Sequence, residues 1–178
     1  MQLVEIFDQE ILKNLEKDIF EGKCRIGFTN ASGSEYNEAL KNVVESFNIP
    51  LSKLQEKDYY DYIVITASKF YAKNNKRLNV EKSKILIYPS AHDGLIHTDM
   101  NKDYLTTITF LNSHWEPTWG GEILCYSDDL KVILGGVTPQ FGKTFAFNGK
   151  IPHRAVAPIR LSALQRVVLV TKEKVESN

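Results

Sequence analysis

Residues 84–100 run Lys-Ile-Leu-Ile-Tyr-Pro-Ser-Ala-His-Asp-Gly-Leu-Ile-His-Thr-Asp-Met. Ile85 to Tyr88 is a short apolar run, rich in β-formers, cut by Pro89, which has no N–H for a ladder. Leu95-Ile96-His97 resumes the pattern after Gly94. His97 and Asp99 are two residues apart, so on an extended chain both side chains point to the same face. Two imidazoles and one carboxylate, with other positions open, form the facial triad of non-haem Fe(II) sites. His153, 54 residues beyond Asp99, supplies the second imidazole. A His-x-Asp alone is weak, arising by chance in roughly one chain in five of this length, so the surrounding pattern has to carry the reading.

Downstream the pattern stays β. Tyr104–Leu111 is β-branched and aromatic. Glu122–Tyr126 follows Gly120-Gly121, and Val132–Leu134 precedes Gly135-Gly136. Thr144–Phe147 follows Gly142, and Arg154–Ala157 follows Pro152-His153. Val167–Val170 closes the run. About eight short strands with turn residues between them predict a sandwich or jelly roll. The strand at 167–170 is apolar at every position, so both of its faces are covered.

Upstream the period changes. Phe7, Ile11, Leu12, Leu15 and Ile19 recur at helical spacing after Asp8, an N-cap, and Gly22 is the stop. Cys24–Phe28 reads as a short strand. Ser34 caps a second helix carrying Ala39, Leu40, Val43, Val44 and Phe47, ended by Pro50. Tyr60, Ile63, Val64, Ala67, Phe70 and Tyr71 form a third apolar stripe, with the tyrosines of 59–62 half in the core and their hydroxyls in water. Helices first and strands afterwards give an α+β, mainly β chain. The expected fold is a double-stranded β-helix (a jelly roll, cupin-like) with the N-terminal helices packed on one sheet. One domain over 1–178 is expected, with 1–80 as a helical buttress and 84–172 as the jelly-roll core.

The totals exclude several classes. With 178 residues, 43% apolar and 25% charged, the balance is that of a folded domain. Lys plus Arg and Asp plus Glu are 22 each, which gives no electrostatic footprint for nucleic acid or an anionic membrane. No apolar run approaches the ~18 residues of a membrane span. The opening residues lack a basic region followed by an apolar run, so no signal peptide is expected. Cys24 and Cys125 are far apart and read as free thiols of a reducing compartment. Together these predict a cytoplasmic protein.

Six elements, in order and spacing, resemble the prolyl 4-hydroxylase-like family of 2-oxoglutarate/Fe(II)-dependent dioxygenases. They are Tyr88-Pro89; His97-Thr98-Asp99; Thr107–Asn112; Trp115 with Trp119-Gly120-Gly121-Glu122; Val137–Gly142; and Pro152–Val156, followed by the closing Arg166–Val170. The resemblance covers about residues 84–172. It implies that His97, Asp99 and His153 bind Fe(II) and that Arg166 binds the 2-oxoglutarate cosubstrate. It also implies dioxygen as co-reactant and ascorbate as reductant. A guanidinium grips a carboxylate through two parallel hydrogen bonds, and an arginine heading an all-apolar strand needs an anionic partner. Arg160 is the competitor, but it sits in a loop and reads as surface or substrate-facing. Tyr88 matches a tyrosine that in relatives helps hold the cosubstrate; a plain core tyrosine is the competing reading. Phe110 departs from the pattern, standing where close relatives often carry a second cosubstrate-binding tyrosine. Thr106, on the same strand face, is the expected replacement donor. His92 and His114 read as solvated histidines, and Trp115 and Trp119 as either a substrate groove or barrel-rim packing.

The expected activity is hydroxylation of a small-molecule or peptide substrate, such as a peptidyl proline, an amino acid or a metabolite, with 2-oxoglutarate decarboxylated to succinate. The alternative is a non-catalytic metal-binding jelly-roll module, which has no need of Arg166. A halogenase of the same fold is disfavoured, because Asp99 stands where those enzymes leave room for halide.

Overall fold

The chain enters as a short strand, β1 (Leu3–Glu5), and then turns into a helix at Asp8. The Asp8 carboxylate accepts from the N–H groups of Glu10 (2.9 Å) and Ile11 (3.2 Å), two of the donors that every helix start leaves open. Helix α1 (Gln9–Phe20) buries Leu12, Leu15 and Ile19, the stripe its spacing predicts. The computed structural model describes residues 3–21, 27–28, 47–50, 62, 65–70, 78–88, 93–99, 104–159 and 164–175. Cys24, Gly22, His92, Arg160 and the predicted helix over 34–46 lie outside them. Residues 65–70 are helical, and the Tyr62 hydroxyl accepts from the Asp8 N–H at 2.7 Å while its ring meets Phe7.

The strands follow: β2 (Gly27–Phe28), β3 (Phe47–Pro50), β4 (Leu78–Tyr88), β5 (Tyr104–Phe110), β6 (Ile123–Tyr126), β7 (Ile133–Val137), β8 (Lys143–Asn148), β9 (His153–Ala155) and β10 (Arg166–Val175). A seven-stranded sheet takes the order β1-β8-β5-β10-β4-β3-β2, and a three-stranded sheet the order β7-β6-β9. All pairings are antiparallel. The fold is the mainly β jelly roll with helix packed on one sheet that the sequence predicts.

Two expectations need correction. Phe47 is not helical: it lies in β3 opposite Ile87 of β4, where pairing distant in sequence overrides the local helical spacing. Gly135 and Gly136 are not a turn but the middle of β7, opposite Cys125 and Leu124. A Cβ on Gly136 would sit 2.6 Å from Leu124 Cδ2 and 2.8 Å from the Ile123 carbonyl oxygen, so glycine is there for close approach of β7 to β6.

β10 lies at the centre of the large sheet, and its two faces serve two cores. Val167 and Leu169 join Ile85 and Ile87 of β4 against Phe7, Leu12, Leu15 and Ile19. Val168 and Val170 point the other way, into the barrel, with Leu86, Ile108, Phe110, Ile123 and Phe145. Each such side chain contributes roughly 1.5–3 kcal/mol by leaving water, so β10 is held from both sides.

Candidate metal centre and anion pocket

His97 and His153 are brought together by backbone hydrogen bonds. The His97 N–H donates to the His153 carbonyl at 3.0 Å and the His153 N–H donates back at 2.9 Å. They form an isolated antiparallel bridge, extending the small sheet beyond β9. The Gly94 N–H donates to the Ala155 oxygen at 2.9 Å and extends the same ladder. Their rings lie 4.5 Å apart, tilted by 51°.

Each imidazole is oriented in the same way. Nδ1 of His97 lies 2.9 Å from the Leu95 carbonyl oxygen, and Nδ1 of His153 lies 2.8 Å from that of Ile151. A carbonyl only accepts, so each Nδ1 carries the proton and each Nε2 offers a lone pair. Those Nε2 atoms face Asp99, at 3.7 Å (His97 to Oδ1) and 3.6 Å (His153 to Oδ2). One ligand atom from each of His97, Asp99 and His153 lies within 4.8 Å of the others. Burial, and His97 beside it, push His153 down to about 4. At neutral pH it is an uncharged imidazole, the form a metal requires.

Asp99 is held from three sides. Its N–H donates to the Gly149 oxygen at 2.7 Å. The Thr106 hydroxyl donates to Oδ2 at 2.6 Å, and Lys172 Nζ donates to Oδ1 at 2.6 Å. A Cβ on Gly149 would lie 3.1 Å from Asp99 Cβ and 3.3 Å from Thr106 Oγ1, so a side chain there would press on Asp99 and its hydroxyl partner. Burial alone would raise the Asp99 carboxyl. The charges of His153 and Lys172, with the two hydrogen bonds, outweigh it and hold the group below its ordinary value. His153 is uncharged at neutral pH, so Lys172 and Thr106 carry the effect there.

Arg166, the first residue of β10, is fully buried. Nη1 donates to the Gly121 carbonyl at 2.8 Å, but Nε and Nη2 have no hydrogen-bond partner among the described residues. Its Cζ lies 4.0 Å from the centre of the Tyr88 ring, its cross-strand neighbour. Asn112 fixes the strand on either side, donating to the Gln165 oxygen (2.9 Å) and accepting from the Val167 N–H (2.7 Å). Gly121 is required at φ +81°, and a Cβ there would sit 2.9 Å from Trp115 Cζ2 and 3.2 Å from Arg166 Cδ. Burial pulls the guanidinium down, against the pull of Tyr88 and Glu122. Burial pushes the Tyr88 phenol up, Arg166 opposes this, and Asp99 adds to it. A buried cation with two unpartnered nitrogens is costly unless an anion answers it.

Of the residues singled out in the sequence, His97, Asp99 and His153 converge, and Arg166 and Tyr88 stack on each other within the same barrel. Thr106 does not take the role expected of it, because its hydroxyl is committed to Asp99. Phe110 is buried in the barrel core. His114 is exposed, 3.6 Å from Glu116 and edge-on to Trp119. Trp115 meets Trp119 edge-on and donates to the Gly120 oxygen at 3.1 Å, a packed arrangement. Cys125 is a buried free thiol. Lys172 was not visible as a site residue. Its signal is the period-two continuation of β10, where Arg166, Val168, Val170 and Lys172 share one face.

No family model matches the sequence and no curated protein matches it. The likeness is one of fold, to solved prolyl hydroxylases and a 2OG-Fe(II) oxygenase. A prolyl-4-hydroxylase from Pseudomonas putida superimposes with a TM-score of 0.69 at 15% identity, over 98% of this chain and 91% of that one. A prolyl hydroxylase from Trichoplax adhaerens, in complex with a hypoxia inducible factor oxygen degradation domain peptide, gives 0.70 at 12%, over 96% and 82%. A 2OG-Fe(II) oxygenase family oxidoreductase from Burkholderia pseudomallei gives 0.70 at 11%, over 95% and 81%.

Proposed function

We propose that this chain is a 2-oxoglutarate- and Fe(II)-dependent dioxygenase that hydroxylates a small molecule or a peptide in the cytoplasm, with succinate and carbon dioxide as co-products. The observation that carries the reading is the buried Arg166 guanidinium, two of whose nitrogens meet no acceptor among the described residues, inside the barrel that also holds two imidazole Nε2 atoms and a carboxylate. His97, Asp99 and His153 fit Fe(II) as a two-nitrogen, one-oxygen donor set with both imidazoles in the ligating tautomer. The metal supplies oxygen activation. Arg166 binds the far carboxylate of 2-oxoglutarate, and the Tyr88 ring keeps the guanidinium in place. The Trichoplax enzyme is seen with a peptide, which supports a peptide among the candidate substrates.

The test is 2-oxoglutarate consumption and succinate release with Fe(II) and ascorbate, followed by a screen of peptide and metabolite pools for a gain of one oxygen in mass. Label from isotopic dioxygen is expected in both succinate and product. His153→Ala is expected to remove most iron affinity and all turnover. Full iron occupancy in that variant sinks the metal assignment. Tight zinc binding with no 2-oxoglutarate turnover favours the binding-module alternative.

A further inference from the structure

Lys172 is a cation at the metal centre that ligation does not require. Its ammonium lies 2.6 Å from Asp99 Oδ1, with the lysine side chain 20% exposed and Asp99 6%. The strand register brings it there: Lys172 of β10 is the cross-strand neighbour of Thr106 of β5. These two neighbours place one donor on each oxygen of a single carboxylate.

The charge count has a direct consequence. Asp99 contributes −1 and Lys172 +1, and imidazoles ligate a metal as neutral bases. The donor set is therefore neutral, and a divalent ion bound there leaves +2 instead of +1. An ammonium hydrogen-bonded to a metal's own carboxylate ligand stands a few ångströms from that metal. At such separations even water-like screening leaves a repulsion worth about tenfold in affinity. The same charge favours an incoming carboxylate by a similar factor.

We propose that Lys172 sets the charge of the centre so that it holds a divalent metal more weakly and a dianionic 2-oxo acid more tightly, each by about tenfold. This rests on the triad being the metal centre. A lysine that merely props Asp99 in place makes the opposite prediction, because its removal would weaken metal binding.

The experiment is titration of Mn(II), followed by the magnetic resonance signal of the free ion, with and without saturating 2-oxoglutarate. It compares the unaltered protein with Lys172→Met, Lys172→Gln and Lys172→Arg, and with Asp99→Ala as control. Lys172→Met and Lys172→Gln are expected to bind Mn(II) alone about tenfold tighter. In both, that gain is expected with and without 2-oxoglutarate, 2-oxoglutarate itself is expected to bind the Mn(II)-loaded protein about tenfold more weakly, and Lys172→Arg is expected to behave as the unaltered protein. Should Lys172→Met fail to fold, the Gln and Arg pair carries the comparison. Mn(II) affinity unchanged or weakened in Lys172→Gln overturns the proposal. Mn(II) affinity unchanged in Asp99→Ala overturns the metal centre itself, and this inference with it.

Discussion

The two faces of β10 differ in what they tolerate. Outward, Val167 and Leu169 meet α1, and Thr171 and Glu173 continue the face, all buried. Inward, Val168 and Val170 are flanked by Arg166 and Lys172, so two cations bracket an apolar middle. On the outward face polar groups mostly answer one another: the Thr171 hydroxyl pairs with Thr107 at 2.5 Å, and with Glu173 at 2.7 Å. On the inward face Arg166 keeps donors that nothing in the described residues meets. One strand thus separates stability from chemistry by the alternation of its side chains. Substitutions on one face should register in unfolding and on the other in binding.

The largest expected effect is at Arg166. Each charge-assisted hydrogen bond is worth roughly 1.5–3 kcal/mol, so Arg166→Ala should weaken 2-oxoglutarate binding by on the order of a hundredfold or more. Arg166→Lys should recover only part, since lysine keeps the charge without the fork. Calorimetric titration of the Mn(II)-loaded protein measures this. An unchanged affinity would remove the anion pocket from Arg166.

Leu169→Ala tests the other face. Truncating this buried leucine should cost roughly 2–5 kcal/mol of unfolding free energy, with Mn(II) and 2-oxoglutarate affinities unchanged below the unfolding transition. Loss of binding before unfolding would show that the two faces are coupled.

Glu173 gives a smaller effect with a defined sign. Burial raises its carboxyl to about 7, only partly offset by the Thr171 hydroxyl. Its proton is held more tightly folded than unfolded, so the neutral acid is tolerated at low pH. Stability is then lost as pH rises from the unfolded value, near 4.5, through 7. Glu173→Gln should therefore be more stable than the unaltered protein at pH 8.5, by roughly 2–3 kcal/mol, and about equal to it at pH 4.5. Denaturant unfolding at the two pH values decides. An equal gap at both would mean that Glu173 titrates normally.

What the sequence made legible followed from local rules. Period two on 95–99 set His97 and Asp99 on one face, and the helix stripe after Asp8 named Leu12, Leu15 and Ile19. The all-apolar 167–170 run announced a strand covered on both faces. What stayed hidden depended on register between distant segments. β10 runs on to Val175 and β4 begins at Leu78, but charged residues there break the apolar pattern, so Lys172 was given no place on a strand. The Thr106 hydroxyl could be placed on a face but not assigned a neighbour. Its bond to Asp99 depends on how the segment at 99 docks against Gly149, which no local periodicity encodes. Phe47 was misread because a four-residue strand offers too few residues to outvote a helical spacing.

The bridge between His97 and His153 joins positions 56 residues apart. A metal held by both imidazoles closes that loop a second time, at the same point, by coordination. An ion that binds only the closed form adds to its stability in proportion to the logarithm of its concentration over its dissociation constant. The ladder at this edge should then open less often as the metal is added. The amide protons of Gly94, His97 and His153, which carry that ladder, become reporters of occupancy. Their exchange with deuterated solvent should slow on metal addition while exchange in α1, on the far side of the large sheet, stays the same.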